Sequence, residues 1–311
     1  MHRNFAVLIP TRNRPEKVAK LLSSIASSKR KPHQVIIVAS GDDIWPTIAK
    51  FSDSLPITYS HTTSRGQIAQ KEIGISMIIP TAEWCLFLDD DLLVTPNTVD
   101  NAFEAISSNI TGEVIGVGLS LPPTTRASDV NWILRRTANF FGIRTNPPGR
   151  VFKNGHASSY LQEKEVIETQ WLNGASLWKS EFLDTYGKGF PSTTYAACED
   201  LVFSYPLSKL GKLIYAPSAK LQFQDNELSN FDGFSVMEAA AFWRFYFVST
   251  NNELSKWSFA FSQIGRALFA ITRTKEHRFR FILGMIRIEI SIASSILKKN
   301  DAKDLLNRLV D

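Results

Sequence analysis

The chain has only two cysteines, Cys85 and Cys198, far apart and without a C-x-x-C partner, which argues against a thiol zinc site or a dithiol redox motif and suits a reducing compartment. Histidine is also scarce. His2, His33, His61, His156 and His277 follow no metal-ligand spacing. Long apolar runs are missing as well: stretches free of Asp, Glu, Lys and Arg, such as 114–125, are shorter than a bilayer span and contain Gly and Pro. At the N-terminus the apolar run 5–9 meets Pro10-Thr11-Arg12 at once, too short for a signal-peptide core, so a cytoplasmic location is expected. There is no internal repeat and no low-complexity tract. No zinc-finger, RNA-recognition or basic-zipper signature accompanies the net charge of +5, so nucleic acid is not the expected partner.

What is present reads as a globular protein, 44% hydrophobic in 311 residues, with enough apolar material for one large core or two unequal ones. The basic excess is local. Residues 256–299 carry nine Lys and Arg against Glu276 and Glu289, leaving the rest of the chain slightly acidic. Apolar runs at 5–9, 35–39, 57–59 and 84–88 alternate with helical periodicity at 15–25 and 68–79. This β-α-β order predicts an α/β fold with a mostly parallel central sheet flanked by helices, whose ligands sit beyond the carboxyl ends of its strands. A helix over 97–106 and a strand over 114–119 follow, then an irregular stretch to about 164. The segment 171–178 reads as a strand carrying Asn173-Gly174-Ala175, with a helix from Glu181, a helix over 199–210 and a strand over 213–216. From Phe234 onward the pattern is helical and rich in Phe and Trp. The expected division is a catalytic domain over 1–229, with halves meeting near 119, and a helical extension over 230–311.

Asp89-Asp90-Asp91 follows a buried strand directly, which sets carboxylates where they can bind a hard divalent cation. The alternative is a solvated acidic turn. Arg12, Arg65 and Lys71 are the cations expected nearby. Several ordered segments complete the pattern: Val7-Leu-Ile-Pro-Thr-Arg-Asn13, Ile36-Ile-Val-Ala-Ser-Gly-Asp-Asp43, Arg65-Gly-Gln-Ile-Ala-Gln-Lys-Glu-Ile-Gly74, Phe87-Leu-Asp-Asp-Asp91, Asn173-Gly-Ala175 and Cys198-Glu-Asp-Leu201. Over about 5–223 they resemble the family 2 glycosyltransferases, inverting enzymes of the GT-A fold.

The resemblance implies a nucleotide-sugar donor, with a UDP-sugar favoured, and a hydroxyl of a glycan or lipid-linked acceptor in cell-surface polysaccharide synthesis. It implies that Pro10, Thr11 and Arg12 line the nucleotide pocket, with Ser40 or Asp42 near base or ribose. Gly66 would start the helix that touches the nucleotide, and Lys71 would lie near the uracil or pyrophosphate. Asp89 and Asp90 would face the donor, and Asp91, with Asp89, a Mn or Mg ion. Asn173, Gly174 and Ala175 would form the acceptor-side turn. Asp200 would be the catalytic base, with Glu199 beside it. The chain departs from the family where Glu72 replaces a common Asn. It departs again where Gln222, Phe223 and Gln224 occupy the place of a metal-binding His, which implies a metal either weakly held or coordinated mainly by Asp91, diphosphate and water.

Two rival readings use the same residues. A haloacid-dehalogenase-like phosphatase would use Asp89-x-Asp91, but Leu93 breaks its motif and three strands precede it. A GT-A-like carbohydrate-binding or scaffolding module without catalysis would explain the missing His. In the basic segment, Arg287, Ser291, Ser294 and Lys298 recur at helical spacing, leaving Ile282, Met285, Ile286, Ile292, Ile296 and Leu297 on the other sides. Such a helix suits peripheral contact with an anionic membrane, or else packing on the catalytic domain or at a homo-oligomer interface.

Overall fold

The computed structural model describes residues 3–307 except 109–111, 123–131, 144, 192–195, 225–232, 274–277 and 299–301. His2, Glu276, His277 and Lys299 lie outside the described residues. Two compact units emerge. The first comprises 1–123, 160–189 and 203–227, and the second 124–159, 190–202 and 228–311. The second unit therefore takes two earlier segments of the chain in addition to the helical part beyond 228.

The first unit is built on strand β1 (Phe5–Arg12), buried until its last residue. Helix α1 (Pro15–Ala26) begins with proline at its first position, where the missing N–H costs nothing, and turns Val18, Leu21, Leu22 and Ile25 inward. Strand β2 (Gln34–Ser40) is buried throughout, as a strand covered on both faces must be. A short helix α2 (Trp45–Ile48), strand β3 (Ile57–Thr62), helix α3 (Gln67–Ser76) and strand β4 (Trp84–Phe87) complete the parallel part, ordered β3-β2-β1-β4. All three pairings are parallel, with Leu8 opposite both Ile36 and Phe87.

Beyond β4 the sheet departs from the expected pattern. The run expected to end in three aspartates resumes immediately after the third of them as β5 (Leu92–Val94). After α4 (Thr98–Ser108) and β6 (Val114–Ser120) come α5 (Trp132–Phe140), in the stretch expected to be irregular, and a short β7 (Ile167–Thr169). The predicted strand over 171–178 is only β8 (Ser176–Lys179), so Asn173, Gly174 and Ala175 lie in the loop that feeds it. A 3-10 turn, Ser180–Thr185, replaces the predicted helix from Glu181. Helix α6 (Glu199–Leu207) and a long β9 (Lys212–Phe223) follow. Strand β8 runs antiparallel to both β4 and β6, β9 runs parallel to β6, and β5 and β7 run antiparallel to β9. Packing of β1, β2, β4, β6, β8 and β9 with α1 and α4 forms the core, from Val7 and Ile37 through Leu86 to Leu177 and Ile214. Its apolar burial is the main stabilising contribution.

The second unit gathers α5 with helices α7 (Gly233–Thr250), α8 (Lys256–Arg273), α9 (Arg278–Lys298) and α10 (Lys303–Asn307). Trp243, Phe245 and Phe247 of α7, Phe259 of α8, and Ile288 and Ile292 of α9 are buried. Outward, α8 shows Trp257, Phe261, Ile264 and Leu268, and α9 shows Ile286, Ile290 and Leu297. Both sets fall at the i, i+4, i+7, i+11 spacing of a single helix face. The apolar residues of α9 divide between two faces. Ile292 points inward while Ile286 and Leu297 are exposed, because Ile288, Ile292 and Ser295 form the face that packs. The side chains of Ile282 and Met285 lie outside the described residues. No described helix is long and apolar enough to cross a membrane.

Candidate active site

Asp89, Asp90 and Asp91 form the turn between β4 and β5, closed by the Leu92 N–H donating to the Asp89 carbonyl at 3.2 Å. Both flanking strands are fixed elsewhere, β4 to β1 and β5 to β9, so the turn is clamped from two sides. The Gln224 N–H extends the second clamp by donating to the Asp91 carbonyl at 2.9 Å.

Within this turn the three carboxylates have different surroundings. Asp90 is 5% exposed, accepting a bond from the Thr11 hydroxyl at 2.6 Å on one oxygen and from Arg14 Nη1 at 2.9 Å on the other. It is a tie between β1, the start of α1 and the turn. Asp90 raises the Arg14 pKa further, with smaller contributions from the neighbouring aspartates. Asp89 accepts from Gln67 Nε2 at 2.8 Å, and its Oδ2 would lie 3.8 Å from a Cβ placed on Gly174. The structure thus brings Asp89, the first turn of α3 and the Asn173-Gly174-Ala175 loop together. Asp91 is part-buried. Its pKa is raised by burial first and by Asp90 second, with Arg14 and then Lys17 pulling the other way. Burial and the neighbouring Asp90 thus leave its negative charge under-compensated.

Arg14 and Lys17, at the start of α1, act on Asp90 and Asp91. Neither was among the expected ones. Lys71 lies one helical turn deeper than Gln67, 2% exposed, with Nζ 5.5 Å from the Phe87 ring centre and 5.9 Å from that of Tyr186. Arg12 and Arg65 are exposed, and Glu72 lies against the Gly187 turn.

Glutamine side chains hold this region. Gln70, 4% exposed on α3, donates through Nε2 to the carbonyls of Thr11 at 2.6 Å and Val38 at 2.8 Å. It bridges β1 and β2 just where Pro10 brings no N–H to the ladder. Gln224 Nε2 donates to the carbonyls of Lys17 and Asp90, each at 2.9 Å, while its Oε1 is buried with no donor.

The carboxyl ends of β1 and β2 are joined by Asn13, whose Oδ1 accepts from the Asp42 N–H at 2.7 Å. Asn13 has φ 54°, and Gly41, with φ 82°, has no room for a side chain because a Cβ would lie 1.9 Å from Asn13 Oδ1. Ser40 Oγ is buried here without a partner, whereas Asp42 is exposed. Beside them Asp43 accepts from the Tyr59 hydroxyl at 2.6 Å, and the 37% exposed Trp45 ring tilts against Tyr59 at 5.3 Å. That bond, then the bond from the Trp45 N–H, lowers the Asp43 pKa; burial, then Asp43, pushes Tyr59 up to about 12. Gly66, at φ 103°, caps α3.

Asp200 and Glu199 occupy the first turn of α6, and Asp200 Oδ1 accepts from the Leu201 N–H at 2.8 Å. Cys198, just before them, has φ 96°, a left-handed conformation that a cysteine rarely adopts and that marks a locally constrained backbone. Asn173 is buried, bonded from its N–H to the Tyr160 hydroxyl at 2.7 Å, with Oδ1 unpartnered.

A carboxylate turn at the carboxyl edge of a parallel sheet, with polar backbone ends on both sides, is the place where such sheets bind nucleotides. The sequence model of Glycosyl transferase family 2 matches residues 6–165, more than half of the chain. The chain belongs to this family. It is accordingly a glycosyltransferase. A search of curated proteins finds no match. Among solved structures, the chain is similar to S. aureus TarS 1–349 in complex with UDP-GlcNAc, with 14% identity over 93% of this chain and 81% of that one, at a TM-score of 0.61. It spans 44% of the longer TarS chain. It is also similar to the mannosyltransferase PcManGT from Pyrobaculum calidifontis in complex with GDP-Man and Mn2+, with 15% identity over 96% and 88% of the two chains and a TM-score of 0.54. GalNAc-T7, solved with UDP, GalNAc and Mn2+, matches at 12% identity over 85% and 54%, again at 0.54. At these identities the likeness is one of fold, and the fold is GT-A.

Among the described residues no group of three or more His, Cys, Asp or Glu side chains stands ready to hold a metal. Oxygen donors of the kind a hard cation takes are nevertheless present in the under-compensated carboxylate of Asp91 and the orphaned Gln224 Oε1. They fit a metal whose remaining ligands come from diphosphate and water.

Proposed function

We propose that the chain transfers a sugar, with inversion, from a nucleoside-diphosphate sugar to a hydroxyl of a glycan or lipid-linked acceptor, in cell-surface polysaccharide synthesis. A UDP-sugar is the favoured donor. The observation that carries this reading is the Asp89 to Asp91 turn, in which Asp90 is committed to Thr11 and Arg14 while Asp91 keeps an under-compensated carboxylate. TarS and PcManGT, which share the fold, were solved with UDP-GlcNAc and GDP-Man, the latter with Mn2+.

Asp91 and Gln224 Oε1, with Asp89 alongside, would hold a Mn2+ or Mg2+ ion. When bound, the ion supplies Lewis-acid stabilisation of the charge that develops on the departing diphosphate. The ends of β1 and β2, from Pro10 to Asn13 and at Ser40 and Asp42, receive the nucleoside, with Trp45 offering an exposed aromatic face. Gly66 and Gln67 approach from α3. Asp200 takes the acceptor hydroxyl proton as its oxygen bonds to the anomeric carbon. The bond from that carbon to the β-phosphate oxygen breaks, the nucleoside diphosphate leaves, and one displacement inverts the centre. Glu199 positions the acceptor or the base.

The outward faces of α8 and α9 suit an anionic lipid surface. Seven large apolar side chains stand exposed on them, Phe140 of α5 packs edge-on against Phe261, and Arg287 and Lys298 flank the α9 stripe. The charge is complementary to anionic headgroups, whereas a second copy of the same basic face would be repelled.

The test is calorimetry with UDP, with and without Mn2+, together with nucleotide release from a panel of nucleotide sugars. Mn2+ is expected to tighten UDP binding at least tenfold in the wild type and little in Asp91→Asn. Equal affinities in the two proteins remove Asp91 from the site, and no nucleotide release from any donor removes the catalytic reading.

A further inference from the structure

Within the second unit, four elements converge on a basic cluster that the transfer chemistry does not use. Arg266 of α8 donates from Nη2 to His156 Nδ1 at 3.0 Å, and Arg244 of α7 lies with Nη2 3.9 Å from Cys198 Sγ. The Nε atoms of both arginines are buried and have no partner. The loop carrying His156 presses on α7, for a Cβ on Gly155 would sit 2.4 Å from Val248 Cγ2 and 3.5 Å from Arg244 Cγ.

Two guanidiniums held this close, in part-buried positions, require a compensating negative charge. None is supplied by an ion pair to either among the described residues. Burial lowers the Arg266 pKa well below its ordinary value, Arg244 lowers it further, and only the thiol of Cys198 opposes them. Because a guanidinium can only donate, His156 accepts on Nδ1 and so fixes the orientation of the Arg266 side chain.

The location narrows the class of anion. Cys198 has its pKa raised by burial first, lowered by Arg244, raised by Asp200 and Glu199, and lowered by Arg266. Both the arginine pair and the acid pair are thus within Coulombic reach of one sulfur atom, and Cys198 is covalently next to Glu199. An oxyanion on the arginines would lie close to Asp200. The geometry points to an acceptor-side phosphate site, in which Arg244 and Arg266, with His156, hold a phosphate group of the acceptor and so present its hydroxyl to Asp200. The forked donors of arginine match phosphate oxygens in a way that a neutral sugar does not require. This inference rests on the reading of Asp200 as the base, and it names the acceptor as a phosphate-bearing one, either a water-soluble sugar phosphate or a lipid-linked one.

The experiment measures binding of inorganic phosphate and of glycerol 3-phosphate to the full chain by calorimetry, at constant ionic strength and with saturating UDP and Mn2+ to fill the donor site. Wild type is expected to bind both. Arg244→Gln and Arg266→Gln are expected to raise each Kd at least tenfold and Arg244→Lys by less, while UDP affinity and the melting temperature stay close to wild type. Unchanged phosphate affinity in both Gln variants overturns the proposal, as does loss of UDP binding in them, which would assign the arginines to the donor. Arg244→Lys guards against misfolding, since it keeps the charge. Asp200→Asn should retain phosphate binding. If that variant instead transfers sugar normally, the base assignment fails while the phosphate site stands. Competition by glycerol 3-phosphate against vesicles carrying a lipid-linked sugar phosphate then separates the two acceptor sources.

Discussion

Replacing Gln70 by methionine keeps the length of the side chain and removes both of its amide donors. In the native fold Nε2 serves the carbonyls of Thr11 and Val38 at 2.6 and 2.8 Å, inside a region where Gln70 is 4% exposed. Leaving a buried carbonyl unpaired costs roughly 1–3 kcal/mol. Two such losses, partly offset by better burial of the thioether, give a destabilisation of about 2–4 kcal/mol. For a body of this size that corresponds to a fall in melting temperature of roughly 5–15 °C. The consequence should reach the site, because these carbonyls lie near the carboxyl ends of the two strands proposed to receive the nucleoside, and UDP affinity should weaken alongside stability. Circular dichroism melts and calorimetry with UDP are the assays, with Gln67→Met as the comparison. Gln67 is part-exposed and makes a single bond to Asp89, so its loss should cost about 1 kcal/mol. A Gln70→Met protein that melts within a degree or two of wild type refutes the argument, since the carbonyls must then find water or other donors at no cost.

Further outcomes follow from the same structure. Asp200→Asn, which keeps much of the helix-capping ability of the residue, should melt close to wild type and bind UDP normally, yet transfer sugar at least about a hundredfold more slowly at saturating acceptor. Transfer at nearly the wild-type rate places the base elsewhere. Glu289 on α9 has its pKa raised by burial from 4.5 to about 7, and its Oε1 has no partner. An acid with a raised folded-state pKa contributes stability that is complete below its unfolded value and lost as pH rises through the folded one. Stability should therefore decline by roughly 1–2 kcal/mol between pH 4.5 and pH 7.5 through this group, after allowing for its partial solvent access, and Glu289→Gln should remove that slope in denaturant titrations. At low salt, the wild type should co-sediment with phosphatidylglycerol-rich vesicles, and the double variant Trp257→Ser, Ile290→Ser at least about fivefold less. No sedimentation, or a dimer that shields these residues, excludes the lipid reading.

Much of the sheet was legible because its strands are continuous apolar runs closed by turn residues. The runs at 5–9, 35–39 and 84–88 coincide with β1, β2 and β4, and the parallel order follows from the helices between them. What escaped was short or set by distant pairing. Strand β5 has three residues and forms because β9 runs on to Phe223, while α5 is a nine-residue helix inside a stretch that Pro122-Pro123 opens and that reads as irregular. Which of the α9 isoleucines face outward was not legible, because exposed isoleucines carry the same pattern as buried ones. Only the packing of Ile288 and Ile292 tells which face is inside.

At the candidate site, the resemblance alone divided the three aspartates, Asp89 and Asp90 toward the donor and Asp91, with Asp89, toward the metal, and their surroundings are unlike. Thr11, expected as a pocket residue, turns its hydroxyl to Asp90, and Arg14, two residues beyond the expected Arg12, pairs with the other oxygen of the same carboxylate. Asp89 accepts a neutral amide from Gln67, whereas burial and Asp90 act against the ionisation of Asp91. No pattern of acids in the sequence distinguishes these cases, because the partners come from β1, α1, α3 and the end of β9. The charge balance does distinguish them. A charge-matched carboxylate gains little from a metal and loses its ties if it moves, whereas the under-compensated one gains most from a cation. Substitution by asparagine should therefore divide by effect: at Asp90 mainly a loss of stability, since Thr11 and Arg14 lose their acceptor, and at Asp91 mainly a loss of metal-dependent nucleotide affinity with the melting temperature preserved or raised.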